Sequence, residues 1–256
     1  MGTSAHGIEL DDGHLGGSVH PGVAVLPALI AMLSQKEFSG SQMLTAMVVG
    51  YETSCATAAA ANPQFRTRGF HPTSTVGPLA AAMAVGRLQG LARAEMSAAL
   101  GIAASSSGGL FAFLGGGGDV KRLHGGMAAR DGLLAALHAE AGISAPEDIL
   151  GRPSGFAQAF AGMTPPDGLE LRLPPADEFN ILNCYVKPYA CCRHLHPAMD
   201  AMIRLRQQHK LTPQTVELIE IETYTIASHH ADTGWQDLAS AQLSFPYCLA
   251  TALEHC

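Results

Sequence analysis

The sequence predicts a mainly α protein, and three observations lead there. Apolar residues make up 47% of the chain and charged ones only 14%, which argues against a disordered segment or a charge-laced coiled coil. Alanine and glycine dominate the apolar set while aromatics stand at 6%, a composition suited to helices that pack closely through small side chains. Apolar residues also recur at helical spacing through much of residues 23–140, with glycines between the runs.

Taken in order, residues 1–22 are polar, histidine-bearing and without a helical period, and they predict a loop. Pro21 suits the first turn of a helix in which Val23, Leu26, Leu29, Ile30 and Leu33 form an apolar stripe. Ser39 or Ser41 opens a second helix, with Met43, Leu44, Met47, Val48 and Tyr51 on one face. Further helices are expected over 72–88, 93–104 and 121–140, punctuated by Gly90, Gly108, Gly109, the glycines 115–118 and Gly142.

Between 151 and 175 the chain collects Pro153, Pro165, Pro166, Pro174 and Pro175, which reads as a crossing between domains. The expected division is 1–180 and 181–256. Beyond the crossing, residues 196–208 predict a helix with Met199, Met202, Ile203 and Leu205 apolar. Residues 216–226 are β-branched and alternate Glu217, Ile219 and Ile221 with Leu218, Glu220 and Glu222, which predicts a strand. A last helix starts at about Tyr247. The strand has no sequence partner, and even a hairpin is marginal in water, so the second domain reads as incomplete.

The net charge of −7, with 15 Lys and Arg and no basic run, argues against a nucleic-acid partner. The apolar stretches 23–32 and 79–85 are too short to span a bilayer, and no signal peptide opens the chain. The cysteines, Cys55, Cys184, Cys191, Cys192, Cys248 and Cys256, show no C-x-x-C spacing. A soluble, reduced, cytoplasmic protein is expected.

Five clusters carry chemistry. The loop A-H-G-I-E-L-D-D-G-H-L-G-G-S-V-H-P-G (residues 5–22) holds Glu9, Asp11, Asp12, His14 and His20, and carboxylates beside histidines can position a base and fix its tautomer. In G-F-H-P-T-S-T-V-G (69–77), His71 precedes Pro72 and is expected extended at a helix start, where Thr73, Ser74 and Thr75 offer donors to a carboxylate. In D-V-K-R-L-H-G-G-M-A-A-R (119–130), Lys121 and His124 share a helical face beside Gly125 and Gly126, which admit another backbone. The run V-K-P-Y-A-C-C-R-H-L-H-P-A-M-D-A (186–201) gathers Lys187, Arg193, His194 and His196. The fifth cluster, S-F-P-Y (244–247), presents Tyr247. Alone, each also has a plain structural reading as a helix entry, a cap, a solvated turn or a core phenol.

Other chemistries lack their marks. The glycines 115–118 lead into Asp119, Val120 and Lys121 rather than the end of a P-loop, and no dinucleotide fingerprint follows a strand. Ser105 to Ser107 lack a nucleophile-elbow frame. A metal set drawn from His194, His196, His229 and His230 has no zinc signature around it, so no metal and no cofactor are expected. A metal-dependent hydrolase and an inactive helical interaction module are the rival classes.

In order, the clusters resemble the MmgE/PrpD family, to which 2-methylcitrate dehydratase, cis-aconitate decarboxylase and iminodisuccinate epimerase belong. The likeness rests on the DD-x-H…HPG loop, G-F-H-P-T…G, V-K-R-L-H-G-G-M-A-A and K-P-Y-A-C-C-R-H-L-H-P-A-M-D-A. It implies a large all-helical domain (1–180, lacking its first helices), part of a smaller α/β lid domain (181–256), a homodimer, and a protein extending beyond both ends of this chain. It implies a cofactor-independent lyase of the dehydratase type, acting on a small polycarboxylic acid by proton abstraction next to a carboxylate. An epimerase or isomerase of a dicarboxylic amino or imino acid, or an inactive fragment, is the alternative. The implied catalytic residues are Asp11, Asp12, His20, His71, Lys121, Lys187 and Tyr247, with Thr73, His124, Arg193 and His196 binding substrate. The chain departs from the decarboxylase branch at Cys192, where that branch has histidine, and at Glu9 and Gly13, where it has Asp and Thr.

Overall fold

The structure, a computed structural model, describes residues 1–115, 118–164, 169–171, 174–175 and 177–255. Expectations that involve Gly116, Gly117, Pro165, Pro166 and Cys256 lie outside the described residues. The helices are α1 (Gly2–Ile8), α2 (Gly22–Leu33), α3 (Gly40–Ala60), α4 (Gln64–Thr67), α5 (Pro72–Gln89), α6 (Arg93–Ser105) and α7 (Val120–Glu140), followed by α8 (His196–His209), α9 (Thr225–Ser228), α10 (Leu238–Ala241) and α11 (Phe245–His255). Strands β1 (Asp12–Gly13) and β2 (Tyr185–Val186) pair antiparallel, with Asp12 opposite Val186. The chain is mainly α, as its composition predicts.

Two compact units form. Unit 1 comprises Met1–His6, Asp11–Phe111 and Lys121–Val186, and unit 2 comprises Gly7–Leu10, Ala112–Val120 and Lys187–Cys256. The longest segments of the two units meet between Val186 and Lys187.

In unit 1, α5 is buried along nearly its whole length and packs against α2, α3 and α6. Small residues permit this crowding. A Cβ on Gly132 of α7 would stand 2.4 Å from the Pro78 carbonyl oxygen, so α7 lies directly on the backbone of α5. Val76, Leu79, Ala103 and Ala135 form one core cluster with Phe65 and Phe156, and Val25, Leu29, Tyr51, Val85 and Ala136 form another. Helix α3 begins with a capping box in which the Ser39 hydroxyl accepts the Gln42 N–H at 3.2 Å and Gln42 Oε1 accepts the Ser39 N–H at 2.8 Å. Ser39, not Ser41, is the cap.

Three expectations are corrected. The first residues are not all loop: α1 forms there, held by fully buried His6 and by close approach to α7 rather than by an apolar stripe. On α2, Val23 and Leu29 are buried, but Leu26, Ile30 and Leu33 are 37%, 44% and 43% exposed. The inward face uses Val25, Ala28 and Met32, because the short alanine admits the neighbouring backbone and leaves bulkier residues outside. Residues 216–226 form no strand, since a ladder needs a partner whose donors and acceptors match, and none pairs with them among the described residues. Val216 and Ile219 instead pack on the unit 2 core, and Tyr224 opens α9.

Unit 2 is centred on α8 against α11, with Leu195, Met199, Met202, Phe245, Leu249 and Leu253 buried between them. Among the described residues no helix is long and apolar enough to cross a membrane.

Candidate active site

Most of the first three sequence clusters meets in unit 1, and the fourth lies almost wholly in unit 2. His71 is the N-cap of α5 with extended backbone (φ −84°, ψ 110°), as expected before Pro72. Its N–H donates to the Gly109 carbonyl at 3.0 Å, and its carbonyl accepts the N–H groups of Ser74 and Thr75. Gly109 (φ +88°) is required here, because a Cβ would fall 2.3 Å from Ser74 and 3.5 Å from His124 Nε2.

Helix α7 brings Lys121 and His124 from the other side, both buried. Gly125 and Gly126 do admit another backbone, and it is that of α1. A Cβ on Gly2 would lie 2.9 Å from the Gly125 carbonyl carbon, and one on Gly126 would lie 2.3 Å from Thr3 Oγ1. This approach carries His6 into the group.

The result is a box of four imidazoles. His6 stacks on His71 with centroids 5.6 Å apart and lies 5.4 Å from His20, while His71 lies 5.1 Å from His124. Phe111 closes one edge of His71 at 5.3 Å. The Nδ1 atoms of His71 and His124 are 2.9 Å apart, and His6 Nδ1 lies 2.7 Å from Asp11 Oδ2. His20 Nδ1 lies 2.5 Å from the Asp12 carbonyl oxygen. A carbonyl only accepts, so His20 carries a proton on Nδ1, and in the neutral ring Nε2 is then the basic nitrogen. The His20 side chain is 16% exposed, whereas His71 is 3% and His6 0% exposed.

Electrostatics lowers the proton affinity of three of the four rings, His6, His71 and His124. Burial holds His71 well below the ordinary imidazole range, helped by His6 and His124. Burial and then the charge of Lys121 lower His6 to about 3, and the same two causes lower His124. Burial raises the Asp12 carboxyl, opposed by a hydrogen bond from the Tyr51 hydroxyl, and burial pushes the Tyr51 phenol up. Asp12 also accepts the Gly22 N–H at 3.0 Å, which ties the loop to the start of α2.

Of the helix-start hydroxyls expected to face a carboxylate, Thr73 Oγ1 accepts the His20 N–H at 3.2 Å. Thr75 donates to the His71 and Gly108 carbonyls. Both are fully buried and serve the protein's own backbone.

Unit 1 thus brings together Asp11, Asp12, His20, His71, Thr73, Lys121 and His124. Unit 2 holds the others. Lys187 Nζ makes a buried ion pair with Glu9 Oε2 at 2.6 Å. Arg193 lies in a 3₁₀ turn (Arg193–Leu195), and His196 is buried with Nε2 3.2 Å from the Cys191 carbonyl oxygen. Tyr247 is 45% exposed on α11 and lines a cavity with Leu10, Pro188, Tyr189 and Cys191.

Sequence reasoning missed His6. The residue lies inside the first cluster, but one histidine between alanine and glycine carries no spacing signal. Glu9 was seen as an acid and not as the partner of a lysine far along the chain. Its backbone is left-handed (φ 59°), which only the folded chain reveals.

The MmgE/PrpD N-terminal domain matches residues 1–168, and the MmgE/PrpD C-terminal domain matches residues 189–255. A cis-aconitate decarboxylase of Aspergillus terreus is 31% identical over 267 residues, covering 96% of this chain and 54% of that protein. A cis-aconitate decarboxylase-like protein of Aspergillus oryzae is 31% identical over 252 residues, covering 91% of this chain and 52% of the relative. Human cis-aconitate decarboxylase is 33% identical over 171 residues, 64% of this chain and 34% of the human protein. The chain spans about half the length of the two fungal relatives. With both domain models matched in order along most of its length, the chain belongs to the MmgE/PrpD family.

Proposed function

We propose that the protein is a lyase acting on a small polycarboxylic acid, with the histidine box of unit 1 removing a proton next to a carboxylate. The observation that carries this reading is His20, whose Nδ1 lies 2.5 Å from the Asp12 carbonyl oxygen, which assigns a proton to that nitrogen, and whose side chain is 16% exposed where His6 and His71 are buried. A base for this chemistry must be reachable by substrate, and among the four imidazoles of the box His20 has a side chain open to solvent. Asp11, with Oδ2 3.6 Å from His20 Nδ1, stabilises the imidazolium that forms. Proton loss leaves an enediolate, whose charge needs cationic or hydrogen-bonding partners in a water-poor place. Lys121, buried beside His6 and His124, supplies a cation there. In the His71–His124 contact one ring spends its only N–H on the other, which keeps an N–H on Nε2; His71 is read as that second ring, a neutral N–H donor rather than a base.

Lys187, Arg193, His196 and Tyr247 enter through the family resemblance alone, as carboxylate partners and, for Tyr247, a proton donor. So does a homodimer.

The proton removal leads to dehydration, with hydroxide leaving as water, or to epimerisation; the relatives' names point instead to loss of CO2, in which the electron pair of the broken C–C bond takes up a proton from a protonated side chain. The test is proton exchange. The whole protein, dialysed against a chelator, is incubated in deuterated water with a panel of di- and tricarboxylic acids and followed by NMR. Deuterium entering a carbon next to a carboxylate is expected, and the accompanying product distinguishes dehydration, decarboxylation and epimerisation. Absence of exchange with every acid, or its loss on chelation alone, overturns the reading.

A further inference from the structure

Unit 2 carries a cluster of ligating side chains that the proposed proton chemistry does not use. Cys192 Sγ, one nitrogen of His194 and one of His230 all lie within 4.8 Å of one another. Cys192 Sγ and His230 Nε2 are 3.6 Å apart. Tetrahedral zinc, at about 2.3 Å from sulfur and about 2.0–2.1 Å from nitrogen, holds its sulfur and nitrogen ligands at about that separation.

The backbone that presents these groups is fixed on both sides. The Cys192 N–H donates to the Gln242 carbonyl at 2.8 Å, and its own carbonyl accepts the Leu195 N–H at 2.9 Å, closing the turn that carries His194. His230 follows α9, with its N–H on the Ala227 carbonyl at 3.0 Å and its carbonyl accepting the Phe245 N–H at 3.2 Å. His230 is 1% exposed, and Leu195, Ala227 and Phe245 of the unit 2 core surround this part of the chain. Tyr224 places its hydroxyl 2.5 Å from His194 Nδ1. An outer hydrogen bond of that kind orients a metal-ligating imidazole and selects its other nitrogen as the ligand.

We propose that Cys192, His194 and His230 form a zinc site with one open coordination position. One thiolate and two imidazoles suit a borderline-soft divalent ion, and hard cations such as magnesium or calcium prefer oxygen donors. Binding displaces the Cys192 thiol proton to solvent, and the resulting thiolate takes the metal. The fourth position takes water or a carboxylate oxygen. The sequence hides this set because Cys-x-His stands far from His230. His196 is turned to the Cys191 carbonyl, and His229 is exposed.

The test uses chelator-stripped protein titrated with cobalt(II) and then zinc. Stoichiometric cobalt should give a thiolate charge-transfer band and the intense visible spectrum of a tetrahedral ion, both bleached by zinc. Cys192→Ser should lose the charge-transfer band and His230→Gln the tetrahedral spectrum, while Tyr224→Phe should weaken zinc binding by about tenfold or more. His138→Gln, on an exposed turn of α7, and Cys184→Ser should leave the spectra unchanged. A measurement on the unmodified protein guards against misfolded variants: zinc should slow alkylation of Cys192, read by peptide mass mapping. Failure to take up cobalt, a charge-transfer band that survives Cys192→Ser, or an unchanged alkylation rate at Cys192 overturns the proposal.

Discussion

His71 and His124 meet nitrogen to nitrogen, with their Nδ1 atoms 2.9 Å apart, so one must donate and the other accept. The two rings therefore hold opposite tautomers and share a single proton along that line. Adding a second proton there would set two N–H groups against each other, which agrees with the lowered affinity of both for protons. His124→Phe leaves a buried nitrogen of His71 without its partner and should cost about 1–3 kcal/mol of stability. His124→Gln, which keeps a donor and an acceptor, should cost less. Chemical denaturation of the two variants checks the order.

Replacing the proposed base separates the histidines by role. His20→Gln should lower turnover of the whole protein by about two to four orders of magnitude, the usual worth of a positioned acid or base. Deuterium exchange should fall in parallel. His71→Gln should lower turnover while retaining a measurable part of the exchange, since it removes a donor and not the base. The reverse pattern would move the base to His71.

Stability should fall on acidification. His6 has its proton affinity lowered from 6.5 to about 3 by folding, and His71 moves in the same direction. The unfolded chain then binds more protons than the folded one below about 6.5, so folding weakens as pH drops from there toward 3. Above 7 these groups are neutral in both states and contribute no slope. Denaturant midpoints between pH 7 and 4 should decline in the wild type and decline less steeply in His6→Asn, provided that variant's circular dichroism matches the wild type at pH 7.

The Glu9–Lys187 pair offers a fourth measurement. Both side chains are almost fully buried, at 3% and 1% exposed, with 2.6 Å between the charges. Glu9→Gln leaves the ammonium group buried without its counter-charge and should destabilise the protein by about 3–5 kcal/mol. Lys187→Met in the same chain should recover a large part of that loss. Equal stability of the single and double variants would show that the ammonium finds another partner.

Helix positions were legible because their periodicity and punctuation agree: Ser39, Pro72 and Gly90 mark starts and stops that the backbone honours. Side choice was less legible. On α2 the stripe of large residues points partly to solvent, because in a core filled with alanine and glycine the closest contact belongs to the smallest residue, not the greasiest. Val216 to Ile226 carries strand chemistry without a strand, since pairing depends on a partner that local sequence does not report. Within the candidate site, His71, Lys121 and His124 were visible as motif members. The Nδ1 contacts and the placement of His6 depend on ring orientation and helix packing, which spacing does not encode.

The two-residue ladder between Asp12 and Val186 sets an order of manufacture. A ribosome adding ~5–20 residues per second delivers Val186 roughly 10–35 s after Asp12. Through that interval the α2, α3, α5, α6 and α7 helices can emerge and pack, while the short edge at Asp12 and Gly13 waits for its complement. The loop that aims His20 is thus born early and fastened late. A nascent chain stalled before residue 185 would display its imidazoles with that edge unfastened, so slow translation downstream, rather than any change in the loop itself, would prolong its exposure.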